Sequence, residues 1–290
     1  MNIVTQCIPC LFKHLNGLAR RVSDDPVRSN DVLQKLVIRM LDAPWNYPPA
    51  ASTRAMLQVI EREFPGVDLY REEKDRSTLL AQQVLQTLQP VIDERPDRFD
   101  TLVRLAIGGN ILDYGINDDL DLDFARRSLL AVLEEPLSKD ALERLRREIA
   151  QARSIVYVLD NCGEAVFDAL LIRHLGAERV TLVVRGGPSV NDVTERELES
   201  SGLAGIRWVS TGDNAPGVIE EFCSDEFRRV LRSADLVIAK GQGNFETLSD
   251  FDRPIAFLFR AKCPVVRELL GNVPQDSLQI QIGKVPFSRS

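Results

Sequence analysis

The sequence predicts an α/β protein, a three-layer α/β/α domain with a mostly parallel sheet, preceded by a helical N-terminal region. Three observations carry this. Short, nearly continuous apolar runs recur after residue 150. Helical patterns lie between them, as when strands buried on both faces alternate with covering helices. The first 150 residues instead carry apolar groups at helical spacing.

In chain order, the first helix spans about Pro9 to Val22, with Pro9 suited to a first turn. Asn30 or Asp31 can cap a second helix that buries Val32, Leu33, Leu36, Val37 and Met40 and runs to about Leu41. Pro44 to Pro49 is a break. A third helix runs from Ala51 to Phe64, ended by Pro65-Gly66. A fourth covers Arg71 to Leu88, limited by Pro90, and a fifth starts near Pro96 and reaches Gly108-Gly109. Leu122–Leu133 and Lys139–Ala152 complete the helical half. The strand-like runs are Ile155–Leu159, Val180–Val184, Asp235–Ala239 and Ile255–Phe259, with Ile206–Val209 as an addition. Helical patterns at Glu164–Leu175 and Val193–Glu199 lie between them. The organisation divides near residue 150, into 1–150 and 151–290.

Composition narrows the class. Of the 290 residues, 44% are hydrophobic and 27% charged, as in ordinary globular proteins. A net charge of -7 disfavours nucleic-acid binding, which needs a basic face. Arg144, Arg146 and Arg147 are flanked by Glu143 and Glu148 and read as a solvated helix face. No apolar stretch approaches the ~20 residues that cross a bilayer. No apolar segment follows a basic start either, so the expected location is the cytoplasm. Five cysteines disfavour a disulfide framework and suit a reducing compartment.

Four polar clusters stand out: Gly109-Asn110 with Asp113, Asp160-Asn161-Cys162-Gly163-Glu164, Asn191-Asp192, and Lys240-Gly241-Gln242-Gly243-Asn244. The second and fourth directly follow strand-like runs, and side chains at the carboxyl ends of parallel strands share one crevice. Asp160, Asn161 and Asp192 are oxygen donors suited to a hard divalent cation. Each also sits where a helix cap is the plain alternative. Glu164 is either a first-turn carboxylate or a group orienting the ligands. Lys240 with the glycines suits an anion, the alternative being a solvated lysine in a turn. The Lys-Ser/Thr ending of a Walker loop is absent. Asn110 and Asp113 share a face if the chain continues helically there. The run Asp118 to Asp123 lacks the glycine and terminal glutamate of a calcium loop and reads as a helix entrance.

Cys7 and Cys10 form one CxxC without a second, so a local four-cysteine zinc site cannot close. Cys263 or His14 are the possible additions. His14 and His174 are the only histidines and both fall in amphipathic helices, which disfavours a Ser-His-Asp hydrolase.

Together these clusters resemble the damage-control phosphatase family, known also as domain of unknown function eighty-nine. The resemblance is to the archaeal and bacterial branch with an N-terminal Cys-x-x-Cys. It rests on Cys7 and Cys10, Gly109-Asn110 with Asp113, Asp160-Asn161 with Gly163-Glu164, Asn191-Asp192-Val193-Thr194, and Lys240-Gly241 with Asn244, in family order. Cys162 departs from the small residue expected there. The resemblance implies a helical region 1–150 closing over a Rossmann-like metal- and phosphate-binding region 151–290. It implies a divalent cation (manganese, magnesium, nickel or cobalt) on Asp160, Asn161 and Asp192. Asp160, Asp192 and Lys240 would then be catalytic. Asn110, Asp113, Glu164, Lys240, Gly241 and Asn244 would meet the substrate, a small phosphorylated metabolite. No role is assigned to Cys7 and Cys10, and the oligomeric state stays open. Water activated by the metal is the expected nucleophile, since a ligand carboxylate such as Asp160 attacks weakly. Rival readings are a nucleoside-cofactor-dependent methyltransferase and a non-catalytic module that binds phosphometabolites or metal.

Overall fold

The computed structural model describes residues 1–116 and 121–285, and at 113–116 the backbone only. Many of its helices begin where a short polar side chain satisfies a free backbone amide. Asp25 accepts from Val27 and starts α2 (Pro26–Asp42), while Asp97 accepts from Asp100 and starts α5 (Arg98–Gly108). Asp121 caps α6 (Leu122–Val132), Ser138 caps α7 (Lys139–Gln151) and Ser224 caps α9 (Asp225–Ser233). The cap of α2 is therefore Asp25 with Pro26 in the first turn, not Asn30 or Asp31. Residues 118–120 of the acidic run lie outside the described residues.

The remaining helices are α1 (Ile8–Val22), α3 (Pro49–Glu63), α4 (Arg71–Glu94), α8 (Cys162–Leu175), α10 (Gly241–Leu248) and α11 (Pro264–Leu269). A 3₁₀ segment, Gly109–Ile116, follows α5. Helix α4 runs straight through Pro90, contrary to the expected stop. Pro90 and Gln86, the residue whose carbonyl loses its amide partner, are both exposed, so water can serve that carbonyl. Leu88 and Ile92, on either side, are buried and hold the helix on course. The pattern at Val193–Glu199 yields only a 3₁₀ turn, Glu195–Glu197, closed by a Thr194/Glu197 capping box.

The strands are β1 (Ile155–Val158), β2 (Val180–Val184), β3 (Trp208–Ser210), β4 (Leu236–Lys240), β5 (Ile255–Ala261) and β6 (Ser277–Ile282), in the order β3-β2-β1-β4-β5-β6. All neighbours are parallel except β5 and β6. Strand β6 went unread in the sequence, although Ser277-Leu278-Gln279-Ile280-Gln281-Ile282 alternates with period two, the mark of a half-covered antiparallel edge.

Two apolar layers enclose the sheet. Ile155, Tyr157, Leu182 and Ile238 face one core with α4 to α8; Val156, Val158, Val183 and Val237 face the other with α1 to α3 and α9. Helices from the first 150 residues thus cover both faces. Among the described residues no helix is long and apolar enough to cross a membrane.

One side chain ties α10 to the end of β5. Gln242 Oε1 accepts from the amides of Lys262 (2.8 Å) and Cys263 (2.9 Å), and its Nε2 donates to Glu246 at 2.7 Å. Burial pushes the Glu246 carboxyl from an ordinary 4.5 up to about 7, against the Gln242 amide. A raised acid favours the fold most below its unfolded value and loses that contribution as the pH rises through its folded value. Glu246→Gln should therefore gain on the wild type by about 3 kcal/mol between pH 4.5 and 8.5 in urea unfolding. A difference that stays constant across this range would refute the assignment.

Candidate active site

Strands β2 and β3 extend the sheet to one side of β1, and β4 and β5 to the other. The chain direction therefore switches between β1 and β4, and the loops after these two strands part to leave a crevice. Asp160-Asn161 leaves β1 on one side of it, and Gly241-Gln242-Gly243 leaves β4 on the other. A third segment folds back onto the tip of β1. Cys162 N donates to Asn191 O (3.0 Å) and Val193 N to Asp160 O (2.8 Å), pairing Asn161 with Asp192 in an antiparallel bridge. Val190 turns the loop at φ +46°, a strained value for a β-branched residue, directly before Asn191.

The bridge sets the backbone of Asp192 beside Asp160-Asn161, with the Asp192 side chain buried against Arg185 and outside the residues that line the cleft. Asn161 stands at the N-cap of α8, yet its side chain makes no capping bond. Its Nδ2 instead donates to Asp160 Oδ2 (3.1 Å) and reaches Glu164 Oε2 (3.5 Å), so its oxygen faces away from these carboxylates. Asp192 does not cap a helix either, since Thr194 takes that place. Arg185, at the end of β2, donates from Nε to Asp192 Oδ2 at 2.6 Å. Burial raises the Asp192 pKa, and Arg185 works against it. Gly241 lies against Asp160 at φ +76°; a Cβ there would stand 1.9 Å from Oδ2. That close approach admits no side chain.

Beneath this floor lies a buried ionic cluster. Lys240 Nζ donates to Glu164 Oε1 (2.5 Å), Asp168 Oδ1 (2.7 Å) and Ala106 O (2.6 Å). Tyr157 also donates to Asp168, at 2.7 Å. Burial opposes the Lys240 charge, but Asp168 and Glu164 outweigh it and raise its pKa. Burial pushes the Asp168 carboxyl up to about 6. Glu164 Oε2 accepts from Asn110 at 3.1 Å, so Glu164 orients both Asn110 and Asn161.

Two expectations change here. Lys240 is fully buried and all three of its N–H donors have partners, so its ammonium sits under the cleft rather than in it. Asn244 is likewise buried: its Nδ2 donates to Lys240 O (2.7 Å) and Leu159 O (3.3 Å), and its Oδ1 accepts from Arg185 (3.1 Å). The cleft itself, about 250 Å³, is lined by Asn110, Asp160, Asn161, Glu164, Asn191 and Gly241 on the strand-tip side. Gln242, Gly243, Phe259, Arg260 and Lys262 complete it. The side chain of Asp113 lies outside the described residues.

Arg185, Asp168, Arg260 and Lys262 were not read as site residues. Their signals were present: cations just past apolar runs, and acids at i and i+4 on an otherwise apolar helix. Cys7 is buried, Cys10 exposed and Cys263 half-buried, all as free thiols.

The donor set fits a hard dication. It is two carboxylates and an amide oxygen, with no sulfur or imidazole. Among the described residues no three His, Cys, Asp or Glu side chains are placed to hold a metal ion by themselves, so an amide oxygen, solvent and substrate would complete the shell. Two buried cations hold the four carboxylates around the cleft, Arg185 beside Asp192 and Asp160, and Lys240 between Glu164 and Asp168.

Comparison with known proteins shows the family. The model of the damage-control phosphatase ARMT1-like domain matches residues 3–278. A protein named damage-control phosphatase from Archaeoglobus fulgidus is 34% identical over 292 residues, covering 94% of this chain and 97% of its own. Damage-control phosphatase PH1575 from Pyrococcus horikoshii is 31% identical over 288 residues, covering 96% and 97%. The crystal structure of PH1575, titled a duf89 family protein, matches with a TM-score of 0.87 at 30% identity, over 98% of this chain and 100% of that one.

Gly241→Ala should push Asp160 out of place while leaving the sheet intact. We expect an unchanged circular dichroism spectrum and Mn²⁺ binding weakened at least about tenfold by calorimetric titration. Wild-type affinity in this variant would show that Asp160 is not a ligand.

Proposed function

The chain belongs to the damage-control phosphatase ARMT1-like family, and we propose that its cleft between β1 and β4 holds the divalent cation on Asp160, Asn161 and Asp192. The protein is a metal-dependent phosphatase that acts on damaged phosphorylated metabolites, which sets aside the methyltransferase and binding-module readings. The observation that carries the site assignment is the Asn161–Asp192 bridge, which brings donors 31 residues apart in sequence to one strand tip.

When bound, the cation polarises a phosphoryl oxygen and lowers the pKa of a water. The chain's own groups do the rest. Asp160 and Asp192 anchor the charge, and Glu164 turns the Asn161 amide so that its oxygen faces the cleft. Lys240 acts from below by fixing Glu164, a positioning role in place of the phosphate contact expected from sequence. Gly241 and Gly243 bring the start of α10 to the cleft, where backbone amides can donate to a phosphoryl group. Arg260 and Lys262, on the β5 side, offset phosphate charge. Asn110 lines the opposite wall. Water attack then releases inorganic phosphate. A cleft of about 250 Å³ lies below the usual range for drug-sized ligands, so we assign it a small phosphomonoester. Manganese and magnesium suit the oxygen donors best.

The test is a panel of phosphate esters with metal-stripped protein and each dication restored. Asp160→Ala and Asp192→Ala should each lower metal-dependent phosphate release by more than about a hundredfold, beyond the loss of an outer partner. Full activity in both variants would reject the assignment.

A further inference from the structure

Arg185 stands where the separate parts of the site meet. Its backbone amide donates to Val193 O at 2.9 Å and it bridges Thr194, so its main chain holds the loop carrying Asp192. Its side chain then reaches three segments. Nε donates to Asp192 Oδ2 (2.6 Å), Nη2 donates to Asn244 Oδ1 on α10 (3.1 Å), and Nη2 lies 3.8 Å from Asp160 Oδ1 at the tip of β1. The guanidinium is almost entirely buried.

The contacts are unequal, and the inequality is informative. Asp192 gives one oxygen to a short, charge-assisted bond and keeps the other. Asp160 Oδ1 lies farther from the guanidinium, at 3.8 Å. Asn244, itself fixed by Lys240 O and Leu159 O, sets the plane of the guanidinium from the far side. A planar fork can satisfy Asp192 and Asn244 together, whereas the point charge of a lysine cannot.

Resting on the metal reading above, we infer that Arg185 is the positioning residue for Asp192. It locks that carboxylate in one orientation, with Asn244 bracing it, and so sets how tightly the site takes a dication.

The experiment measures Mn²⁺ binding to metal-stripped full-length protein by calorimetry and by the electron-spin signal of free Mn²⁺. Arg185→Lys, which keeps the charge, should weaken binding 10- to 100-fold. Asn244→Ala should weaken it less. The double variant should bind no more weakly than Arg185→Lys alone, because both act through one carboxylate. Arg185→Lys with affinity within twofold of wild type, or additive losses in the double variant, overturns the inference. If Arg185→Lys does not fold, wild-type affinity in Asn244→Ala overturns it, and weakened affinity supports it. A wild type that binds no Mn²⁺ overturns the metal reading together with this role; a wild type that binds while both variants match it overturns this role alone.

Discussion

The site depends on one short pairing of backbone, that of residues 160–162 with 191–193. Two hydrogen bonds, Cys162 N to Asn191 O and Val193 N to Asp160 O, dock a loop on the tip of β1. With Arg185, which reaches both carboxylates, they offset the repulsion between Asp160 and Asp192 and their lost hydration. The sheet supplies the frame, because the switch between β1 and β4 leaves room for that loop.

Charge then organises everything around the pairing. From buried positions, Arg185 gathers Asp192 and Asp160, and Lys240 gathers Glu164 and Asp168. Buried ions of this kind persist only when well paired and hydrogen-bonded. Each cation does that for two carboxylates. The arrangement also conveys orientation upward, from Lys240 through Glu164 to the amides of Asn161 and Asn110. A lysine that never meets the substrate can in this way decide how a ligand oxygen points.

Much of the fold was legible because burial imposes period. Ile155–Val158, Val180–Val184 and Ile255–Ala261 are apolar on both faces, and only a strand covered on both sides calls for that. Two misreadings share one cause, a local rule overridden by a tertiary contact. Pro90 ends helices in isolation, but Leu88 and Ile92 pack too well for α4 to stop. Lys240 follows a strand as a surface lysine would, but acids four residues apart on α8 draw it inward.

By itself the sequence determined which residue types carry the chemistry, the fold class, and the strand tips on which the polar clusters sit. These follow from residue identity and periodicity, which are local. The tertiary structure alone decided which of those polar groups face the cleft and which support it from within. That division turns on who donates to whom across residues as distant as Arg185 and Asn244, and hydrogen-bond partners of that kind leave no trace in spacing along the chain.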